Sequence, residues 1–381
     1  MKTASGQSRL SVLDLYRAVA ILAVMIAHYT VRWTPPRELK NYYPYEGRFS
    51  WPVLEVGGSG VSLFFVVSGF VILMTLERSG NIIEFALKRF ARLFPPMLVC
   101  ATITTIVLNT FGPKEWSVSP AEYISSIFFI PPALLGKVLG RPEWDWVDGA
   151  YWSLFVEVRF YAISSIFFLI FERNFLKYWA LFQAVSTALN FLIQDDGVRL
   201  LADSDFIFNF LPYFSFGMFC YSAYRGRIGR YNYIAISVIM LMVAEATEFR
   251  RYTGDPDKQI EFMISCAVIF SASVGMILKV KFLGDISGKA ITRIGESSYS
   301  LYLLHQLVGV VAINVLARFL SPVIALLIVF ASMIIISLVL YKYVEVPGRN
   351  LFLKLTLPLA KRAQGVAGLR FSHADEARPG H

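Results

Sequence analysis

Cysteine is scarce. Cys100, Cys220 and Cys266 are the only three in 381 residues, and each falls inside an apolar run. That excludes a disulfide scaffold and any cysteine-based metal spacing, and no metal is expected. Charge is scarce as well: 17% Asp, Glu, Lys and Arg, against about 25% in ordinary soluble domains. No small-residue cleavage site follows the first apolar stretch, which carries Asp14 and Arg17. It therefore reads as a retained helix and not as a signal peptide. No internal repeat is visible. No nucleic-acid motif accompanies the net charge of +9, and its Lys and Arg sit between apolar runs, so nucleic acid is not an expected partner.

What the chain does have is hydrocarbon. Apolar residues make up 56% of it, 32 Phe among them. Runs of about twenty apolar residues are what span a bilayer. They fall at about 10–31, 57–76, 94–111, 150–171, 175–193, 204–224, 231–248, 259–278, 295–317 and 322–341. The expectation is an all-α, polytopic membrane bundle of about ten transmembrane helices. The run at 124–135 is broken by Pro131 and Pro132 and reads as a re-entrant or surface piece. Residues 1–350 form the membrane domain in this reading. Residues 351–381 form a basic tail of disordered composition, in which His373 and His381 are inert. Lys and Arg concentrate in the amino terminus, the even-to-odd loops and the tail, although the opposite loops include the longest connections. Both termini are therefore expected in the cytoplasm.

Ionisable residues inside such runs are functional candidates by default, because each costs about 2.5–3.5 kcal/mol to insert at mid-membrane. In LDLYRAVAILAVMIAHY, Arg17 and His28 lie eleven positions apart. That places them within about 20° of one helix face and about 16 Å apart along the axis. Asp14 precedes Arg17 by three and is its natural ion-pair partner. A snorkelling Arg with an interfacial His is the plainer reading.

Four further segments carry candidates. GGSGVSLFFVVSGFVI is rich in small residues suited to close packing. Its Ser68 has no base beside it in sequence. LKRFARLFPP sets Lys88, Arg89 and Arg92 at helical spacing, as a phosphate clamp or as plain positive-inside bias. DGAYWSLFVEVRFY brings Glu157 near the depth of His28, so that a Glu157–His28 approach competes with a Glu157–Arg pair. Trp152 and Tyr151 there suit an interfacial belt, with Ser153 beside them. In GESSYSLYLLHQ, Ser298, Tyr302 and His305 share a face, with His305 either catalytic or polar glue between helices.

Together with VEVPGRN, these blocks run in the order of the bacterial membrane acyltransferase 3 family, which the chain resembles over about 13–347. The resemblance implies O-acyl transfer from cytoplasmic acyl-coenzyme A, usually acetyl-CoA, to a hydroxyl of a surface polysaccharide or its lipid-linked precursor at the outer side of the inner membrane. It also implies that Arg17 and His28 are the essential Arg/His pair and that Arg89 and Arg92 are the Arg pair. Trp152, Ser153 and Glu157 match the Trp-Ser…Glu block, and Tyr299, Tyr302 and His305 the later one. On that reading Arg17, Lys88, Arg89 and Arg92 meet the CoA phosphates, while the extended pantetheine arm carries the thioester to His28. His28 then acts either as general base, with Glu157 holding its pKa near neutrality, or as a transiently acylated carrier; the residues leave both open. Some members carry an additional esterase-like domain, for which the residues after 350 leave no room. The competing class is a transporter or flippase of lipid-linked saccharides, which would also bury charges. No inverted repeat supports it. A receptor or scaffold fits less well, because the ionisable residues cluster at two depths.

Overall fold

The computed structural model describes residues 11–30, 56–141, 144–192, 209–229 and 288–362, together with positions 232, 236, 239, 240, 243, 267, 269–271 and 371. Among them there is no β-strand. The helices are α1 (Ser11–Thr30), α2 (Gly60–Leu76), α3 (Ile82–Phe111), α4 (Pro120–Ile127), α5 (Pro132–Val138), α6 (Trp152–Phe171), α7 (Phe175–Leu192) and α8 (Leu211–Tyr224). After them come α9 (Lys289–Glu296), α10 (Ser298–Leu304), α11 (Leu307–Leu316), α12 (Pro322–Leu340) and α13 (Val346–Arg362). Among the described residues, four helical stretches are long and apolar enough to cross a membrane, five if the bent pair α10–α11 counts as one span. The expected spans at 231–248 and 259–278 lie almost wholly outside the described residues.

Three boundaries differ from expectation, each for a physical reason. The third span begins at Ile82, well before residue 94, and runs straight through Pro95 and Pro96. Proline is tolerated inside membrane helices where neighbours pack around it: Gly348 packs on the Pro95 ring, and nearby the Tyr299 hydroxyl donates to the Leu93 carbonyl at 3.1 Å. Asn81 caps this helix, accepting from the Glu84 N–H at 2.7 Å. The last span does not stop at 341 either. A π-helical segment, Tyr341–Glu345, carries it into α13, so residues 351–362 are helix and not disordered tail. Finally, Phe371 is buried: its N–H donates to the Gly80 carbonyl at 3.2 Å and its ring meets Phe168 edge-on at 5.0 Å.

The bundle is knit by close crossings. α2 lies against α8 so tightly that the main chains touch: a Cβ at Gly69 would fall 2.0 Å from the Phe214 oxygen, and one at Gly217 1.9 Å from the Val66 oxygen. α1 sits between α2 and α9, where Gly295 meets the Asp14 main chain in the same way. Phe70, Phe160, Phe214 and Trp179 fill the space between α2, α6, α7 and α8. The other side of α12 presents Val323, Leu327 and Ile335 outward, more than half exposed. An apolar face of that kind suits lipid.

Candidate active site

The site begins at a defect. Between α10 and α11 the chain turns by 61° at His305 and Gln306. A broken helix releases main-chain groups that hydrocarbon cannot satisfy, so side chains must. The Tyr302 carbonyl faces His305 Nδ1 at 2.8 Å, the Leu303 carbonyl accepts from the Tyr151 hydroxyl at 3.1 Å, and the His305 carbonyl accepts from the Tyr29 hydroxyl at 2.5 Å. On the far side of the turn, the Leu307 N–H donates to Asp148 Oδ2 at 2.9 Å, and Asp148 Oδ1 accepts from the Ala150 N–H at 2.9 Å. Asp148 thus ties the start of α11 to the turn that opens α6. Burial pushes its carboxyl up to about 6, against the lowering effect of those two N–H bonds. Asp148→Asn should lower the melting temperature of the purified protein. An amide offers one acceptor where two are used, and a buried N–H left unpaired costs about 1–3 kcal/mol.

At this turn the His305 ring receives its neighbour. His28 Nδ1 lies 2.8 Å from His305 Nε2, the rings 5.0 Å apart and nearly parallel at 6°. α1 brings His28 there from one side and α10 brings His305 from the other, 277 residues later. The imidazole of His28 therefore faces the bundle, as the helical stripe with Arg17 required.

Toward the Ser11 end of α1, a narrow cavity opens between α1, α2, α3, α6 and α10. Arg17, Arg89 and Arg92 line it, with Ser68, Ser153, Glu157, Tyr299 and Tyr302. Three guanidiniums in a buried site need compensation, and three carboxylates supply it. Asp14 holds Arg17 at 3.1 Å. Glu157 lies within electrostatic range of Arg89 and Arg92. Glu345, buried and accepting from the Ser300 hydroxyl at 3.0 Å, faces Arg92. The wider turn of the π segment aims Glu345 inward, and such segments concentrate at functional sites. Tyr302 forms the wall between this cavity and the two histidines. Its hydroxyl donates to the Ala150 carbonyl at 3.0 Å, with the Ser153 hydroxyl 2.8 Å away, and its ring lies 5.4 Å from that of His305.

The structure redraws several expected partnerships. Glu157 does not approach His28. Its Oε1 accepts from the Ser68 hydroxyl at 2.5 Å and the Tyr161 hydroxyl at 2.6 Å, because α6 turns that face toward α2. Ser68, which has no base beside it in sequence, therefore has a carboxylate beside it in space. Lys88 leaves the cation group. It pairs with Glu84 at 2.7 Å and reaches the Arg78 carbonyl and the Ser79 hydroxyl, away from the cavity. Trp152 stands at the rim, 37% exposed, against Phe65 and Phe210. Glu345 and Asp148 carry structural weight that sequence reasoning passed over, although a carboxylate ending an apolar run was the available signal for Glu345.

A buried cation-lined cavity capped by a histidine pair, inside an apolar helical bundle, is the layout of a membrane group-transfer enzyme. The chain belongs to the acyltransferase 3 family, whose model, described as an acyltransferase domain, matches residues 10–342. It is 22% identical over 375 residues to the O-acetyltransferase OatA of Staphylococcus aureus, covering 89% of this chain and 57% of that protein. It is 24% identical over 386 residues to the peptidoglycan O-acetyltransferase OatA of Listeria monocytogenes, covering 92% and 58%. Over 157 residues it is 27% identical to the O-acetyl transferase of Shigella phage Sf6, covering 40% and 44%. The matches thus span about half the length of these relatives. No solved structure matches the chain.

Proposed function

We propose that this acyltransferase is a multi-pass protein of the bacterial inner membrane, with about ten spans and both termini in the cytoplasm. It moves an acetyl group from acetyl-CoA to a hydroxyl of a surface polysaccharide or its lipid-linked precursor. The observation that carries the reading is the histidine pair set directly beyond the cavity of Arg17, Arg89 and Arg92. Cationic guanidiniums suit the donor's phosphates, and an imidazole suits removal of the acceptor's proton. Relatives named as O-acetyltransferases, one of them acting on peptidoglycan, support acetyl as the group and carbohydrate as the acceptor.

In this reading the donor enters at the Ser11 end of α1 and the acceptor waits at the Thr30 end. His28 takes the acceptor's hydroxyl proton as the oxygen attacks the thioester carbonyl, the C–S bond breaks, the departing sulfur takes that proton back from His28, and the thiol leaves toward the cytoplasm. Glu157, with Ser68 and Tyr161 fixed on it, orients the cations from below.

The test is incubation of membranes containing the protein with labelled acetyl-CoA and isolated polysaccharide. Label should reach the polymer as an alkali-labile ester. His28→Ala, accumulated to the same level, should lower that transfer by about 100-fold or more. Normal labelling by that variant would end this reading. A flippase of lipid-linked saccharides would move unmodified substrate and leave the polymer unlabelled.

A further inference from the structure

We propose that His305 is a positioning residue, and that it holds His28 in the single tautomer able to take a proton at Nε2. The inference rests on the reading of His28 as base and assigns what that reading leaves open, namely which ring nitrogen reacts and what decides it.

The argument runs along one line of hydrogen bonds. A main-chain carbonyl can only accept. The Tyr302 carbonyl lies 2.8 Å from His305 Nδ1, so that nitrogen carries a proton. In a neutral imidazole the other nitrogen is then an acceptor. His305 Nε2 therefore offers its lone pair to the atom 2.8 Å away, His28 Nδ1, which must bring the proton to the shared bond. With its proton fixed at Nδ1, the neutral His28 ring has its lone pair at Nε2. Three atoms in series thus convert a carbonyl freed by the broken helix into a base of defined direction.

The anchoring is firm at each end. The His305 ring is wholly buried, and the Tyr29 hydroxyl, from the residue after His28, grips the His305 carbonyl. His28 and His305 are thereby joined twice, once through their rings and once through the adjacent tyrosine.

The pair also accommodates the proton it receives. When the acceptor hydroxyl loses its proton to His28 Nε2, His28 becomes an imidazolium. Its Nδ1–H then donates a charge-assisted bond to His305 Nε2, stronger than the neutral one it replaces. As the new ester C–O bond forms and the thioester C–S bond breaks, the proton on Nε2 is available to the departing thiolate. The products are the ester and the free thiol, and both histidines return to their starting state. An orienting group is thus supplied to the base without placing a second carboxylate at this depth, where an unpaired charge is costly.

The experiment uses the full chain in lipid nanodiscs with nitrogen-15 histidine. Four histidines are present, so loss of one signal in His28→Ala assigns His28 directly. In the unmodified protein, His28 should show a protonated Nδ1 and an unprotonated Nε2. His305→Ala should move the proton to Nε2 and lower kcat by about 100-fold, with the KM for acetyl-CoA unchanged. His305→Gln presents an amide oxygen to His28 Nδ1; it should restore the tautomer and recover kcat to within about tenfold of the unmodified protein. A proton found on Nε2 of His28 in the unmodified protein would overturn the proposal. So would an unchanged kcat in His305→Ala, or a lowered kcat with the tautomer intact. Full transfer by His28→Ala would instead remove the base reading beneath it, so the two failures are distinguishable.

Discussion

Glu157→Gln should almost silence acetyl transfer while leaving the affinity for the donor undiminished. Glu157 is the point where two hydroxyls and two cations converge. Oε1 accepts from Ser68 at 2.5 Å and from Tyr161 at 2.6 Å, with Arg89 and Arg92 in electrostatic range. Glutamine has nearly the same shape and can still accept both hydroxyl protons through its oxygen, so the helices should assemble. What disappears is one negative charge among three guanidiniums. Leaving a buried cation uncompensated costs about 3–5 kcal/mol. If the donor is acetyl-CoA, as proposed, Arg89 or Arg92 can relieve that cost by swinging toward its phosphates. The expected signature is therefore kcat lower by about 100-fold or more, with a KM for acetyl-CoA equal to or below that of the unmodified protein. Ser68→Ala and Tyr161→Phe each remove one donor to the same oxygen and keep the charge, so each should cost about tenfold or less. Initial-rate measurements in nanodiscs over a range of acetyl-CoA would decide it. A raised KM with unchanged kcat would mean that Glu157 only shapes the donor's binding site.

The second large effect is structural. Gly217→Ala and Gly69→Ala should each prevent accumulation of folded protein. A Cβ at 217 falls 1.9 Å from the Val66 oxygen and one at 69 falls 2.0 Å from the Phe214 oxygen. Both obstacles are main chain in the middle of a helix, so no rotamer change makes room. α2 and α8 would have to separate along their whole crossing. That would loosen the Phe70 contact with Tyr221 and the contact of Phe65 with Phe214. Overpacking typically costs about 1–3 kcal/mol and more where backbone must move. It would also displace Ser68, next to Gly69, from Glu157. Gly229→Ala is the control, since nothing lies within 4 Å of the added carbon. Detergent-solubilised yield and thermal melts of a fluorescent fusion report the outcome. Wild-type yield from Gly217→Ala would show that the two helices are not held as close as described.

The sequence revealed some of this and concealed the rest, for reasons that concern distance. Everything local to one helix was legible. The common face of Arg17 and His28 follows from helical pitch, and the Asp14–Arg17 pair from a three-residue spacing. Periodicity says which way a side chain points but not what it meets. His28 finds a partner 277 residues away, and Ser68 finds Glu157 89 residues away. Nothing in either segment encodes the other. Topology alone sets Glu157 near the depth of His28, yet α6 turns Glu157 to Ser68 and Tyr161 and α1 turns His28 to His305. Spacing alone groups Lys88 with Arg89 and Arg92, while Glu84, one turn earlier, claims it. Pro95 and Pro96 look like an end because proline breaks soluble helices. Inside this bundle the helix runs on through both, with Gly348 packed on the Pro95 ring.

The bend at His305 and Gln306 has a wider consequence. In a regular helix the ladder N–H is each carbonyl's first partner, whereas here the Tyr302 carbonyl stands at the break and faces the ring nitrogen of His305 at 2.8 Å. Irregularity here is what breaks the symmetry of an imidazole, whose two nitrogens are otherwise near equals. Sequence changes that favour a straighter rod between Tyr302 and Leu307 should therefore make a sturdier protein and a poorer catalyst, with rigidity and reactivity drifting in opposite directions at one hinge point.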